Sequence, residues 1–375
     1  MKKSMCLRAL LWAVTTLLLL LLTRLRGAVS PMTGMLLLLL VPLFGWLSAF
    51  LSRRNMTISL TLPGTGRKGA EIRGELRVRN GSFFVPGCVW CRIRIVNVMT
   101  GESDRLDIPV SVPARGQGTA FFSLNSGFCG YLRAETERVV LTDWLGFLPV
   151  RCNQRAEAKT AVLPETFTPE LIVDSAAAPD AEEESYAPDK SGFDMSEIYQ
   201  LREYVPGDPT KQIHWKLSEK LDTLIFREAS LPVSRSMLLY WEKNSACTPA
   251  EADAMAEVTA SLAQKLSEEG YSFFLGWNEG EIRHRESAEN SEQLFTVLPE
   301  LLKCRPTAGE ETDCAGIFGE GGWGKVIFVG KKLPAGAEQY GAALSAVLCA
   351  AGETEPGRAY FSPGNYRQKL QGIVI

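Results

Sequence analysis

Histidine is scarce enough in this sequence to be followed residue by residue: there are two, His214 and His284. An imidazole changes charge nearest neutral pH, so each is a candidate general base. His284 stands among Arg283, Arg285 and Glu286, the surroundings of a solvated strand end. His214 has better company, with Glu203, Asp208 and Ser218 close by in sequence, and an Asp208 and His214 pair is the one enzymatic arrangement the residues suggest. No nucleophile is identifiable beside it, so the first reading of a His next to Trp215 is a structural hydrogen bond. Cys88-Val89-Trp90-Cys91 has the spacing of half a zinc knuckle. No second close pair follows, since 22 residues lie between Cys129 and Cys152, and structural zinc wants four ligands. A packing role is expected for these thiols, and no metal or cofactor is expected. The run Gly319-Glu320-Gly321-Gly322-Trp323-Gly324 lacks the Gly-Lys-Ser/Thr ending of a phosphate loop and reads as a surface turn.

The elements that must hold His214 lie between 194 and 228. Pro206-Gly207 suits the centre of a type II turn, with Pro fixing φ and Gly supplying a positive φ. Asp208 can then cap a short helix from Pro209, with Ile213 and Leu217 on one face and His214, Trp215 and Lys216 carried along it. A strand follows at Leu224-Ile225-Phe226. Arg202-Glu203 and Arg227-Glu228 bracket the unit, which suggests a charge network between its ends.

Around this segment the chain changes character several times, as expected of a multidomain protein of 375 residues. Residues 1–55 carry seven basic residues and no acid, leaving 33 basic against 43 acidic residues downstream, which argues against a nucleic-acid partner. Within 1–55, residues 7–23 and 31–51 are apolar stretches that predict two transmembrane helices. Lys2, Lys3, Arg8, Arg53 and Arg54 outnumber Arg24 and Arg26 in the turn, so the expected protein crosses the cytoplasmic membrane twice, with its large domains in the cytoplasm. Nine cysteines at irregular spacings suit a reducing compartment. From 56 to 165, period-two runs such as Thr57 to Leu62 and Arg92 to Val96, separated by turn signals, predict an antiparallel β-sandwich. Residues 166–192, acidic and Ala/Pro-rich from Asp174 onward, read as a linker or long loop. Beyond 193, strands and helices alternate: Ser236 to Tyr240, a helix from Pro249 capped by Thr248 and Glu251, a strand at 271–277, a helix at 289–303, a strand at 325–329 and a helix at 335–351. That alternation predicts a mostly parallel sheet with helices on both faces.

The central segment resembles the signature of the domain of unknown function 58 family. The matching residues are Leu201-Arg202-Glu203-Tyr204, Pro206-Gly207-Asp208, Ile213-His214-Trp215-Lys216 and Arg227-Glu228. Upstream, Gly130-Tyr131-Leu132-Arg133 and Asp143-Trp144-Leu145-Gly146-Phe147-Leu148 are similar to a second family segment, with Trp144 and Leu145 in place of its Pro and Phe. The resemblance implies a membrane-anchored bacterial protein whose C-terminal domain is von Willebrand factor A-like. It also implies companions: a MoxR-type AAA+ ATPase and a transglutaminase-like membrane protein. The metal-binding form of such a domain needs Asp-x-Ser-x-Ser after its first strand, where oxygen ligands hold Mg²⁺. Here the run is Trp241-Glu242-Lys243-Asn244-Ser245, so a degenerate domain without the metal is expected.

The functional expectation is a membrane-anchored, non-enzymatic adaptor or scaffold, contacting the lipid bilayer and working with the ATPase in assembly or maintenance of cell-envelope complexes. Its binding or structural residues would be Arg202, Glu203, Tyr204, Pro206, Gly207, Asp208, His214, Trp215, Lys216, Arg227 and Glu228. The alternative is an enzyme acting on an envelope component or peptide through Asp208 and His214.

Overall fold

A computed structural model describes residues 10–18, 20–21, 29–169, 171–172, 185–205, 213–221, 223–233, 237–271, 273–288, 291–310, 312–319, 323–352, 357–371 and 373–374. The chain divides into two compact units, Met1–Pro164 and Glu165–Ile375.

The first unit corrects the membrane expectation. Among the described residues no helix is long and apolar enough to cross a membrane, so the two-pass topology, its orientation and the bilayer contact inferred from it are withdrawn. In the first apolar stretch the described residues 10–18 and 20–21 are helical. The second lies in helix α1 (Val29–Ser52), and its last turns are spent on protein packing. Ala49 and Ser52 are fully buried, Trp46 and Phe50 pack on the β core, and Ser48 Oγ donates to the Val85 carbonyl at 2.8 Å.

That core lies within two sheets. One pairs β1 (Met56–Thr61), β3 (Glu71–Asn80) and β6 (Gln117–Asn125) in the order β1-β3-β6. The other runs β2-β9-β7-β4-β5, built from β2 (Thr65–Arg67), β4 (Cys88–Asn97), β5 (Ser103–Val110), β7 (Gly130–Thr142) and β9 (Glu157–Leu163), with β8 (Pro149–Cys152) also paired to β7. Alternation along β1 and β4 puts Ile58, Leu60, Val89, Cys91, Ile93 and Ile95 inside, as the two-residue period of a strand requires. The described cysteines are free thiols, and burial is the main cause pushing Cys91 up to about 12, the state of an inert packing thiol. The upstream segment that resembles the family is a loop organised by a carboxylate. Buried Asp143 accepts from the backbone N–H groups of Leu145, Phe147 and Leu148 at 3.1, 2.5 and 2.6 Å, and Gly146 supplies the positive φ of 78° that the turn needs.

The second unit holds a six-stranded sheet. Its strands are β13 (Met237–Trp241), β14 (Phe273–Glu279), β15 (Ile282–Ala288), β16 (Lys325–Gly330), β17 (Leu344–Cys349) and β18 (Arg358–Phe361), in the order β15-β14-β13-β16-β17-β18. All neighbours are parallel except β15, which returns from β14 as an antiparallel edge. β13, β16 and β17 are buried at every position, the mark of parallel strands covered on both faces. Helix α3 (Pro249–Glu268) starts with the capping box read from Thr248 and Glu251 and is enclosed along most of its length. Fully buried Glu257 is satisfied there by the Tyr366 hydroxyl and by Arg367 at 3.0 Å, while the Phe167 N–H donates to Ser261 Oγ at 3.1 Å.

Three local expectations change. The linker expected to 192 gives way to strand β11 (Ser185–Glu203), and 173–184 lie outside the described residues. The helix expected at 335–351 is two single 3-10 turns, Ala337–Gln339 and Gly341–Ala343, followed by β17, because left-handed Gly336 and Gly341 interrupt the chain and Leu344-Ser345-Ala346-Val347-Leu348-Cys349 fits a covered strand. The short helix expected from Pro209 is observed at Trp215–Leu221, here α2.

Candidate functional site

The signature residues fold into a clasp. β11 pairs antiparallel with β12 (Ile225–Val233), setting Arg202 opposite Phe226, Glu203 opposite Ile225, Leu201 opposite Arg227 and Gln200 opposite Glu228. The Arg202 guanidinium carbon sits 4.6 Å from the Phe226 ring centroid, so at this end of the expected charge network Arg202 makes a cation–π contact. The Tyr204 N–H closes the hairpin end on the Leu224 carbonyl at 2.8 Å. Ile213 is buried and bridges to Phe226, which brings α2 against β12.

His214 is used in this clasp as a hinge pin. Its N–H donates to the Ile225 carbonyl at 2.8 Å, and its Nδ1 accepts from the Leu217 N–H at 3.2 Å, the position an N-cap side chain takes. Buried Ser218 completes the lock: Oγ donates to the His214 carbonyl at 3.1 Å and accepts from the Ile225 N–H at 2.8 Å. With Nδ1 occupied as an acceptor, only Nε2 remains for other partners, and that is poor geometry for a base that must itself be oriented through its second nitrogen. Pro206, Gly207 and Asp208 lie outside the described residues. Trp215 and Lys216 point outward, with Trp215 63% exposed, and Leu201, Val205, Leu221 and Leu224 are also exposed around it.

A second locus, which the sequence marks only as a run lacking a metal pattern, lies at the carboxyl edge of the sheet. From β13 the chain turns to β14 on one side and later returns to β16 on the other, so a crevice opens where the connections diverge. A cavity of about 530 Å³ occupies it, lined by residues following β13, β16 and β17, including Glu242, Ser245, Lys331, Leu333 and Cys349. Its size falls in the usual range for small-ligand sites.

The polar groups here divide sharply into satisfied and unsatisfied. Lys243 is 1% exposed, yet its ammonium donates to the Cys304 carbonyl at 3.0 Å and to the Leu301 carbonyl, capping helix α4 (Ser291–Leu302), and lies 4.2 Å from the Trp241 ring centroid. Its N–H donates to Asn278 Oδ1 at 2.7 Å, and Asn278 in turn donates to Asn244. Lys331 Nζ reaches the Ala246 carbonyl at 3.1 Å and Glu251 Oε2 at 3.0 Å. Glu242 is not fully satisfied, and neither are Thr312 Oγ1 and Trp241 Nε1. Glu242 is 5% exposed, its Oε1 accepts from Ser245 Oγ at 3.4 Å, and its Oε2 meets no hydrogen-bond donor. Burial pushes its pKa up, against the opposing pull of Ser245, the Asn244 N–H, the Lys332 charge and the Lys331 N–H. A side chain at Gly330 would come within 3.3 Å of the Glu242 Cβ and 2.7 Å of the Phe328 ring, so glycine there admits the carboxylate to the edge. Burial chiefly pushes Cys247 up to about 12 and Cys349 up to about 11, which keeps both thiols protonated and poor nucleophiles. Among the described residues no group of three or more His, Cys, Asp or Glu could hold a metal ion.

No family model matches the chain, and no curated protein matches it. Solved structures overlap it weakly. A CARDB domain from Pyrococcus furiosus is 14% identical, covering 29% of this chain and 87% of its own at a TM-score of 0.22. A β-glucosidase from Listeria innocua is 17% identical over 29% of this chain and 16% of its own, with a TM-score of 0.20. The alkylpurine DNA glycosylase AlkC from Pseudomonas fluorescens is 13% identical over 36% and 40%, with a TM-score of 0.21. Overlaps this slight carry no function across.

Proposed function

We propose that the chain is a non-enzymatic adaptor or scaffold that works with a MoxR-type AAA+ ATPase, and with a transglutaminase-like companion, in the assembly or maintenance of cell-envelope complexes. The companions come from the resemblance of the 201–228 segment to the domain of unknown function 58 family. One observation carries the adaptor reading. The clasp ties His214 and Ser218 to its own backbone and leaves Leu201, Val205, Trp215, Leu221 and Leu224 exposed on one hairpin end and one helix. Clustered exposed apolar side chains mark contact surfaces, and tryptophan is a frequent anchor in them. His214, spent on capping α2, supports this reading over the enzymatic one.

The test is direct binding between the purified chain and a MoxR-type AAA+ ATPase from the same organism, with and without ATP. The expected result is saturable binding that weakens at least about tenfold in W215A, as for an interface anchor, while thermal unfolding is unchanged. Absence of binding in every nucleotide state, or equal affinity of W215A, overturns the proposal.

A further inference from the structure

The first unit holds a concave site of its own, on the outer face of the sheet β2-β9-β7-β4-β5. β8 pairs with β7 over 139–142 and β9 pairs with it over 130–135, which leaves 136–138 to the loop that joins β8 to β9. That loop is tied down at Thr136, whose N–H donates to the Ala156 carbonyl at 2.9 Å and whose Oγ1 accepts from the Ala156 N–H at 2.8 Å. Across β7, Arg92 pairs with Arg138 and Ile93 with Thr136, so Glu137 is an extra, bulged residue. A cavity of about 730 Å³ opens at the bulge, with Arg92, Arg138, Arg151 and Arg155 in its walls. Its charge is one-sided, because the carboxylates of this face are already taken. Asp107 is held by Arg92 at 2.7 Å, Glu137 by Arg105 at 3.1 Å, Glu135 by Arg94 at 4.0 Å, and Glu157 by Arg133 and Lys159, both at 3.3 Å. Arg138, Arg151 and Arg155 are exposed and have no carboxylate partner among the described residues. Arg92 and Arg138 stand directly opposite each other in the ladder, and like charges so placed cost a sheet free energy.

We propose that this cavity binds a small molecule carrying two or more phosphate charges, held by Arg138, Arg151 and Arg155. A guanidinium is a planar fork of donors that meets phosphate oxygens in pairs, and here three such forks line one cleft with no carboxylate to answer them. A bound anion turns the repulsion between Arg92 and Arg138 into attraction toward a shared partner. Several unanswered cations in one cleft favour a multiply charged ligand over a monocarboxylate and exclude a cationic one. The volume suits a small ligand and leaves room beyond the phosphates for an organic body. The site uses residues different from those of the clasp and does not depend on the adaptor reading.

The experiment is isothermal titration of the purified chain at neutral pH, in phosphate-free buffer, with pyrophosphate, ADP, adenosine and acetate. Saturable binding of pyrophosphate or ADP is expected, with none for adenosine or acetate, and it should weaken as salt is added because the cations are exposed. Either preference supports the proposal: tighter binding of ADP assigns the rest of the cavity to an organic body, and tighter binding of pyrophosphate assigns the site to phosphates alone. R138Q combined with R151Q is expected to weaken the bound probe at least about tenfold. R79Q, which removes an exposed arginine from β3 in the other sheet, is expected to leave the affinity unchanged. Should the double variant unfold, R155Q in the exposed loop provides the second reading and is expected to weaken the same probe. The proposal is overturned by no saturable binding of either phosphate probe, by equal or tighter binding of acetate, or by an equal loss in R79Q, the mark of general surface charge. Unchanged affinity in the folded double variant, or in R155Q where the double variant does not fold, overturns it too.

Discussion

The clasp and the carboxyl edge of the sheet treat polarity in opposite ways. In the clasp a serine and a histidine are tied to backbone groups, and large apolar side chains such as Trp215 and Leu221 are left exposed beside Lys216, Glu219 and Lys220. At the sheet edge the reverse holds: charge is taken inside, one lysine is held by backbone acceptors, and the neighbouring glutamate, a residue that lines a cavity, has one oxygen buried without a hydrogen-bond donor. A surface of the first kind gains free energy when a broad apolar partner covers it. Buried charge of the second kind contributes through the groups that satisfy it in place. The two regions are therefore stabilised in different ways, and neither needs the other to be explained.

The largest expected effect tests whether the buried charge at the sheet edge is structural. K243A removes a fully buried side chain and leaves the Leu301 and Cys304 carbonyls without their donor, so stability should fall by about 3–5 kcal/mol. K243M keeps most of the volume and should lose about 1–3 kcal/mol. Urea unfolding measures both. A loss below about 1 kcal/mol in K243A would mean that water satisfies those carbonyls, and the contrast with the exposed clasp would collapse.

These two regions also differ in how far the sequence reveals them. The clasp is legible because its chemistry is local: Ile213, His214, Trp215 and Ser218 stand within six residues, and the strand they cap begins at Ile225. The start of α2 is misplaced in the sequence reading because Asp208 and Pro209 carry the stronger capping signal, whereas the cap observed is His214, a residue type seldom read as one. Helix α3 is legible for the same local reason, through Thr248, Pro249 and Glu251. The sheet edge is not legible, since Glu242, Leu333 and Cys349 are brought together only by the order of strands. Its one signal is a glutamate directly after the apolar strand 237–241, where a buried charge has no local reason to be. The failure at 335–351 has a related cause: an alanine-rich apolar run has no period that separates a covered strand from a helix. In the first unit, composition alone suggests a membrane span, but the last turns of α1 use their small and aromatic residues, Ala49, Ser52, Trp46 and Phe50, to pack on the β core.

A smaller effect is expected in the clasp. S218A removes the acceptor of the Ile225 N–H and the donor to the His214 carbonyl, and about 1–2 kcal/mol should be lost. The loss should be local, read as faster hydrogen exchange at Ile225 and Leu217 with little change at Leu239 or Ile327 in the sheet. Equal loss of protection in both places would show that clasp and sheet unfold as one unit, and the two regions would no longer count as separate.

The smallest effect separates two glutamates within the sheet edge by the sign of their pH dependence. Burial opposes the charge of Glu251, but the Thr248 backbone, the Lys331 ammonium and the Thr248 hydroxyl together outweigh it and hold the carboxyl below the ordinary glutamate value of 4.5. A depressed pKa stabilises the fold above 4.5, and that contribution is lost as the pH falls through the folded value. Glu242 is displaced the other way by burial, so its penalty is absent below 4.5 and grows as the pH rises through its folded value. The two contributions therefore lie on opposite sides of 4.5. Each should be no more than about 1 kcal/mol for a partly solvated pair such as Glu251 and Lys331, whose side chains are 22% and 28% exposed. E251Q retains the capping geometry, because glutamine can replace glutamate in the box, and should flatten the loss of stability below pH 4.5. E242Q should leave that acid limb intact and remove the decline above 4.5. Urea unfolding of both variants from pH 3.5 to 7 resolves the two limbs, and a single shared limb abolished by either substitution would show that the two carboxylates titrate as one coupled group, so that the sheet edge no longer holds two separable charges to set against the clasp.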